Sequence, residues 1–259
     1  MKNYKTVVVG GVRTACLSRT DMIDLMVSDC DAARLGGPSA KIVFDVNGHA
    51  LALSFWSPDF RNYLAAGDLI HADGQAIVAT SRFLTRSPIP ERSATTDFFH
   101  DAAAAAGRKG LRFYLLGATE EVNARCESKM KALYPELQIV GRRNGYFTPD
   151  DEPAICDAIN ASQADIVWVG LGKPNEQAFC IRNKSRLKAG WIVTCGGCFN
   201  YVAGDYPRAP AWMQSSGLEW LHRLVTNPRK LFWRYLTTNP VAIYLLLTQT
   251  TSQGVEVSA

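Results

Sequence analysis

The chain has 259 residues, 47% hydrophobic and 20% charged, which is enough apolar material for one substantial core and at most a small appendage. Its formal net charge of +4 is too mild over this length to point to nucleic acid as a partner. Seven cysteines, an odd number with no secretory leader ahead of them, read as reduced thiols rather than a disulfide framework.

At the N-terminus, Met1-Lys2 leads into an apolar run that stops at Arg13, too soon for a signal-peptide core, so the expected location is the cytoplasm. Short β-branched or aromatic runs then recur, each followed by a stretch with helical spacing, which is the pattern of an α/β fold. Strands are expected at 6–9, 41–46, 69–71, 112–116, 137–140, 165–169 and 191–194. Several are almost wholly apolar, as strands covered on both faces should be. Helices are expected at 21–27, 57–66, 75–84, 97–107, 120–134 and 150–162, with Ser57-Pro58 and Thr148-Pro149-Asp150 as starts. A break follows Gly204, dividing the chain into a domain over 1–204 and an appendage over 205–259. In the appendage, prolines 207, 210, 228 and 240 bound one or two short amphipathic helices within 211–235. The longest late apolar run, 241–247, is far short of the roughly 18 residues that a membrane-spanning helix needs. Any membrane contact is therefore expected to be peripheral.

Three strand ends carry glycines suited to anion or sugar binding through backbone N–H groups. They are Leu116-Gly117-Ala118-Thr119, Val169-Gly170-Leu171-Gly172-Lys173-Pro174, and Cys195-Gly196-Gly197-Cys198. None is a full GxGxxG, and the first two also read as ordinary strand-to-helix turns. The cysteine pair in the third has no second Cys/His pair at zinc spacing, so both thiols are assigned to the core.

In open α/β sheets the carboxyl ends of strands form the ligand crevice. Asp73, in His71-Ala72-Asp73-Gly74, belongs at such an end, where it can accept a proton from an attacking hydroxyl or cap the next helix. Asp45-Val46-Asn47-Gly48-His49 ends the preceding strand and should open onto the same crevice, with Asn47 as a hydrogen-bonding group for a sugar hydroxyl and His49 as an acid, a ligand or, as a lone histidine more often is, a helix-surface residue. Arg92, in Glu91-Arg92, offers a guanidinium for pyrophosphate. The literal DxD, Asp29-Cys30-Asp31, follows a helix rather than a strand and reads as a solvated helix end; no metal site is expected. From 207 to 240 five basic residues stand against one acid, Glu219. Arg208, Arg223, Arg229 and Arg234 lie among Trp220, Phe232, Trp233 and Tyr235, an arrangement that suits an anionic lipid surface, phosphate groups at the crevice, or both.

These separated blocks resemble the WecG/TagA/CpsF family of bacterial glycosyltransferases over nearly the whole chain. Asp45-Val46-Asn47, Asp73-Gly74, Glu91-Arg92, Leu115 to Gly117, Gly145-Tyr146-Phe147, Arg208-Ala209-Pro210, Gly217-Leu218-Glu219-Trp220 and Pro228-Arg229 follow in the family's order. The resemblance implies a Rossmann-like, mostly parallel sheet with flanking helices and a membrane-associating C-terminal appendage. It further implies inverting, metal-independent transfer of a hexose-type sugar from a UDP-sugar to a polyprenyl-diphosphate-linked sugar during surface or exopolysaccharide synthesis, with no cofactor. Asp73 would be the base and tail arginines would complete the site, at the inner face of the cell membrane. Homo-oligomerisation is left open.

The chain departs from the family pattern at Asp45 (for Thr), Thr95 (for Gly), Asn175-Glu176-Gln177 (for Lys-Gln-Glu) and Asn200 (for Asp). Glu176, Gln177, Gly196 and Gly197 are expected donor contacts, beside Gly117, Gly170 and Gly172. Asp45 joins Asp73 as a candidate catalytic group, and their mutual repulsion is expected to raise one carboxyl pKa. Two rival readings are a non-catalytic scaffold of a polysaccharide assembly complex, and an oxidoreductase, which should show a complete GxGxxG after the first strand.

Overall fold

The computed structural model describes residues 4–37, 40–251 and 254–257. Its centre is a six-stranded parallel sheet in the order β4-β3-β8-β7-β5-β6, formed by β3 (Lys41–Val46), β4 (Leu69–Ala72), β5 (Arg112–Gly117), β6 (Gln138–Arg143), β7 (Ile166–Gly170) and β8 (Trp191–Thr194). Strand side chains alternate between two cores, as a pleated strand covered on both faces must. In β7, Val167 and Val169 enter one cluster, while Ile166 and Trp168 enter the other. The first cluster is covered by α2 (Gly48–Trp56), α3 (Pro58–Ala65), α4 (Gln75–Leu84), α7 (Glu152–Ala161), α8 (Asn175–Asn183) and α12 (Pro228–Thr248). The second lies under α1 (Arg19–Arg34), α5 (Thr95–Lys109), α6 (Glu120–Leu133) and α9 (Cys198–Ala203). Two short helices, α10 (Ala211–Ser215) and α11 (Glu219–Thr226), lead into α12.

The first expected strand lies outside this sheet. β1 (Tyr4–Val9) and β2 (Val12–Ala15) form a hairpin that is completed by β9 (Gly254–Val257) on the other side of β1. The two-residue turn Gly10-Gly11 has φ of +60° and +81°, the backbone that a tight hairpin demands and that glycine adopts without strain. So short a connection can only join antiparallel strands, and the place after the first strand where an oxidoreductase would carry a complete GxGxxG is a hairpin turn.

The tail also differs from its expected form. α12 runs through Pro240 to Thr248 instead of breaking there. An interior proline costs about 3 kcal/mol, but Ala242, Leu245 and Leu246 beyond it are buried against Leu51 and Val9 in the first core, which offsets that cost. The DxD lies in the last half of α1, where Asp29 accepts from Trp191 Nε1 at 2.7 Å and pairs with Lys41 at 3.0 Å. Asp29 is thereby a structural anchor, more enclosed than a solvated helix end.

Candidate active site

The carboxyl ends of β3 and β4 come together first. Backbone N–H groups of Asp73 and Gly74 both donate to Val46 O, at 3.0 and 3.2 Å. A Cβ on Gly74 would stand 3.1 Å from Asn47 Cα, so glycine allows the close approach. Asn47 is the N-cap of α2, its Oδ1 accepting from Ala50 N at 3.1 Å. That bond points the amide Nδ2 the other way, where it donates to Asp73 Oδ2 at 3.1 Å and to Asp45 Oδ2 at 3.2 Å. Thr95 N, in the first turn of α5, donates to Asp73 Oδ1 at 3.0 Å. Asp73 does not cap its own following helix, α4, which starts at Gly74 without a side-chain cap; it faces the N-terminus of α5 instead.

Cations close over this carboxylate. Arg92 Nε donates to Asp73 O at 2.7 Å, and its other end reaches Glu219 of α11 at 2.8 Å. Arg223, one turn along α11, pairs with the second oxygen of Glu219 at 2.6 Å and lies over the Tyr201 ring at 4.9 Å. Burial works to raise the Asp73 pKa, but Arg92 and Arg223, with the Asn47 and Thr95 bonds, outweigh it and hold the carboxyl at about 2. The expected repulsion between Asp45 and Asp73 therefore does not raise Asp73. Its partner charge is neutralised: Lys173 Nζ sits 2.6 and 2.7 Å from the two Asp45 oxygens. The carboxyl pushed up in this region is Glu176, chiefly by burial, with a contribution from Asp45.

The glycine exits are packed backbone to backbone. A Cβ on Gly117, whose φ is +140°, would lie 2.3 Å from Gly170 O. Glu176 is fully buried and accepts from Gly172 N at 3.1 Å and Gly196 N at 3.0 Å. Those two N–H groups are thus engaged by an internal carboxylate. Gln177 is also fully buried, donating to Glu176 at 3.4 Å. Gly172 leaves open space where a side chain would stand, with nothing within 4 Å of a Cβ, while a Cβ at Gly197 would rest in ordinary contact with Tyr206 at 3.6 Å.

Of the expected site residues, the structure gathers Asp45, Asn47, Asp73, Arg92 and Arg223 into one crevice. Arg234 of α12 stacks on Tyr235 at 5.2 Å, and its charge reaches His49. His49 is half-buried rather than a free surface residue; burial first, then Arg234 and Lys173, lower its pKa to about 4. Arg208 is paired with Asp97 in the first turn of α5, and Arg229 is exposed at the start of α12. Cys195 and Cys198 are buried core thiols, and no cluster of three His, Cys, Asp or Glu able to hold a metal occurs among the described residues. Sequence reasoning missed Lys173 and gave Glu219 no role. The signals were present: one lysine at the exit of a buried strand, and one acid in a basic tail.

A cavity of about 490 Å³ opens at the far end of α2, lined by Gly10, Arg13, Phe55, Arg61 and Leu245 among others. Neither Asp45 nor Asp73 lines it.

No helix among the described residues is long and apolar enough to cross a membrane. The outer faces of α10 to α12 nevertheless leave Trp212, Trp220, Val225, Phe232, Trp233, Leu236, Ile243, Tyr244 and Leu247 exposed.

A carboxylate aimed at the carboxyl edge of a parallel sheet, with guanidinium groups above it, is an arrangement suited to transferring a group away from a diphosphate. The model of the glycosyl transferase WecG/TagA/CpsF family matches residues 7–255, nearly the whole chain, and the chain belongs to that family of glycosyltransferases.

Proposed function

We propose that this glycosyltransferase moves a hexose-type sugar from a UDP-sugar to a polyprenyl-diphosphate-linked sugar, with inversion, in bacterial surface or exopolysaccharide synthesis. One observation carries the reading: both Asp73 oxygens are oriented by neighbouring donors at the sheet's carboxyl edge while Arg92 and Arg223 converge above. In a single displacement the acceptor hydroxyl oxygen bonds to the anomeric carbon as the bond from that carbon to the diphosphate oxygen breaks. UDP leaves with the electron pair, and the hydroxyl proton passes to Asp73.

At neutral pH Asp73 is ionised, which is the form a base requires. A bound diphosphate draws on Arg92 and Arg223 and adds negative charge nearby, so it raises the Asp73 pKa toward a value at which the carboxyl can hold the proton. Arg223 Nε and Arg234 Nε are buried without a hydrogen-bond partner, a costly state that an anionic ligand would relieve. Gly172, Gly196 and Gly197, the glycine exits that are not buried, are assigned to the bed of the donor, by leaving room rather than through the Gly172 and Gly196 N–H groups that Glu176 already holds; Gly117 and Gly170 are packed against each other and serve the floor beneath. In this reading arginines, rather than a metal, stabilise the departing diphosphate.

The outer faces of α10 to α12 are assigned to membrane association at the inner face of the cell membrane, through their exposed aromatic and aliphatic side chains together with Arg208, Arg229 and Arg234, while the inner face of α12 and β9 belong to the body. Such a placement brings a lipid-linked acceptor to the crevice.

The test is transfer by the full-length protein in EDTA, with a panel of UDP-sugars and short-chain polyprenyl-diphosphate sugars, followed by mass spectrometry. A product one sugar heavier is expected, with Asp73→Asn slower by about 10³-fold, within the range for loss of a general base. No product from any pair, with or without Mg²⁺ or Mn²⁺, would favour a scaffold that has kept the fold without the chemistry.

A further inference from the structure

We infer that Asp45, Lys173 and Glu176 form a buried positioning network that holds the base from behind, with the Lys173 ammonium as its centre. The inference rests on the reading of Asp73 as the base.

The network ties the carboxyl ends of three neighbouring strands, β3, β8 and β7. Asp45 lies one residue before the end of β3, Lys173 lies in the exit of β7, and Glu176 is in the first turn of α8, gripping the backbone at Gly172 and at Gly196 beyond β8. Every carboxylate oxygen has a partner. Asp45 Oδ1 meets Lys173 at 2.6 Å and the Thr194 hydroxyl at 3.5 Å, and its Oδ2 meets Lys173 at 2.7 Å and Asn47 at 3.2 Å. Glu176 Oε1 lies 3.6 Å from Lys173 and accepts from Gln177, while Oε2 takes the two glycine amides. Side chains of Lys173, Asp45 and Glu176 are 8%, 5% and 0% exposed.

Burying three ionisable groups is expensive, and an apolar trio of the same volume is often as stable or more so. What the charged set supplies is geometry. Asn47 donates to Asp45 and Asp73 with one amide nitrogen, so the position of Asp45 sets that of Asp73. Without the ammonium, two carboxylates joined through one amide would repel each other, and one would take up a proton. Lys173 lets Asp45 stand there as an anion. Around Asp73 the other charged or titratable groups are His71 on β4, Cys198 and Tyr201 on α9, Arg92 in the loop before α5, and Glu219 and Arg223 on α11. Around Lys173 they are Asp45, Glu176, Asp73, His71 on β4 and His49 on α2.

The test titrates Asp73 directly in the full-length protein. ¹³C-carboxyl-labelled aspartate is followed by NMR against pH, and the Asp73 signal is assigned by its loss in Asp73→Asn. Lys173→Met is expected to raise the Asp73 titration by about one pH unit or more, and Asp45→Asn/Lys173→Met to return it toward the parent. In the transfer assay Lys173→Met is expected to lower kcat by about 100-fold, as a displacement of about 1 Å at a reacting group does, with donor KM changed far less, and the double variant to recover most of that loss.

A folded Lys173→Met with an unmoved Asp73 titration overturns the network. Should that variant fail to fold, Asp45→Asn against Asp45→Asn/Lys173→Met isolates the same ammonium, and equal titrations overturn it likewise. The NMR result does not depend on transfer. Asp73→Asn that retains full transfer removes the base reading while leaving the network to stand or fall on the titration.

Discussion

The crevice floor and the outer surface of α11 and α12 invert the usual distribution of residues in opposite ways. On the floor, Asp45, Lys173 and Glu176 are charged groups placed where apolar side chains ordinarily sit. On the outer surface, Phe232, Trp233 and Leu236 are 51%, 69% and 54% exposed where polar side chains ordinarily sit. Buried polar groups and large exposed apolar patches are the informative exceptions to burial statistics. Here they differ in how they are balanced. The floor is satisfied from within by matched hydrogen bonds, whereas the outer surface is left bare and calls for something outside the chain. Between them stands Arg223, which faces Asp73 from the tail.

Arg223→Met strikes that junction and has the largest expected effect. Loss of one preorganised cation at a departing diphosphate lowers kcat/KM by about 100-fold or more. It also removes one of the two cations that depress Asp73, so the acidic limb of the kcat/KM profile moves up from about 2. Binding to anionic vesicles should be unchanged. Equal loss of both functions would merge the two regions into one.

Leu246→Ala tests whether the inner face of α12 belongs to the body. Leu246 is 5% exposed and sits in the core with Leu51, so truncation should cost about 3 kcal/mol in denaturant unfolding. A cost below about 0.5 kcal/mol, the scale of a surface change, would detach the helix from the core.

Trp233→Ser addresses the outer face of the same helix. Its expected result is the reverse: unfolding stability within about 0.5 kcal/mol of the parent, with vesicle binding weaker by about tenfold, from loss of roughly 1.5 kcal/mol of apolar burial. Unaltered vesicle binding would place the membrane contact elsewhere.

The smallest effect belongs to His49, which lies where the two regions meet. Its pKa is about 4 in the folded chain against an ordinary 6.5. As pH falls from 6.5 toward 4, the unfolded chain takes up a proton that the folded chain refuses, and stability drops. His49→Gln should flatten that slope, by at most about 1.4 kcal/mol per pH unit for a fully buried ring and by less here because the ring is partly exposed. An unchanged slope would remove His49 from the interior of the crevice.

Much of the sheet was legible because strands covered on both faces need continuous apolar runs, as in Lys41–Val46 and Trp191–Thr194, which match expectation residue for residue. The pairing of β1 was not, since Thr6 to Val9 has the composition of a buried strand in either kind of sheet, and only Gly10-Gly11 marks the hairpin. That Asp73 and Asn47 would lie together could be read because each follows directly on a parallel strand, and neighbouring strands bring their carboxyl ends side by side. Lys173 could not be recognised as the counter-charge of Asp45, because the two lie 128 residues apart and meet only through the order β3-β8-β7. The length of α12 was hidden for a similar reason: Pro240 is a local signal for a break, and the packing that overrules it comes from α2, far away in the chain.

Pairing of β9 with β1, from Tyr4 opposite Val257 to Val7 opposite Gly254, bears on how the appendage can be studied. A cut after Gly204 does more than remove a surface appendage. It unroofs the core at Leu51, takes Arg223 and Glu219 from above Asp73, and leaves β1 with a bare row of backbone donors and acceptors. Such an edge is a template for strand exchange with another molecule. A shortened chain of this kind would be expected to gather into β1-to-β1 assemblies, and an oligomer measured on it would report the missing strand rather than the native protein.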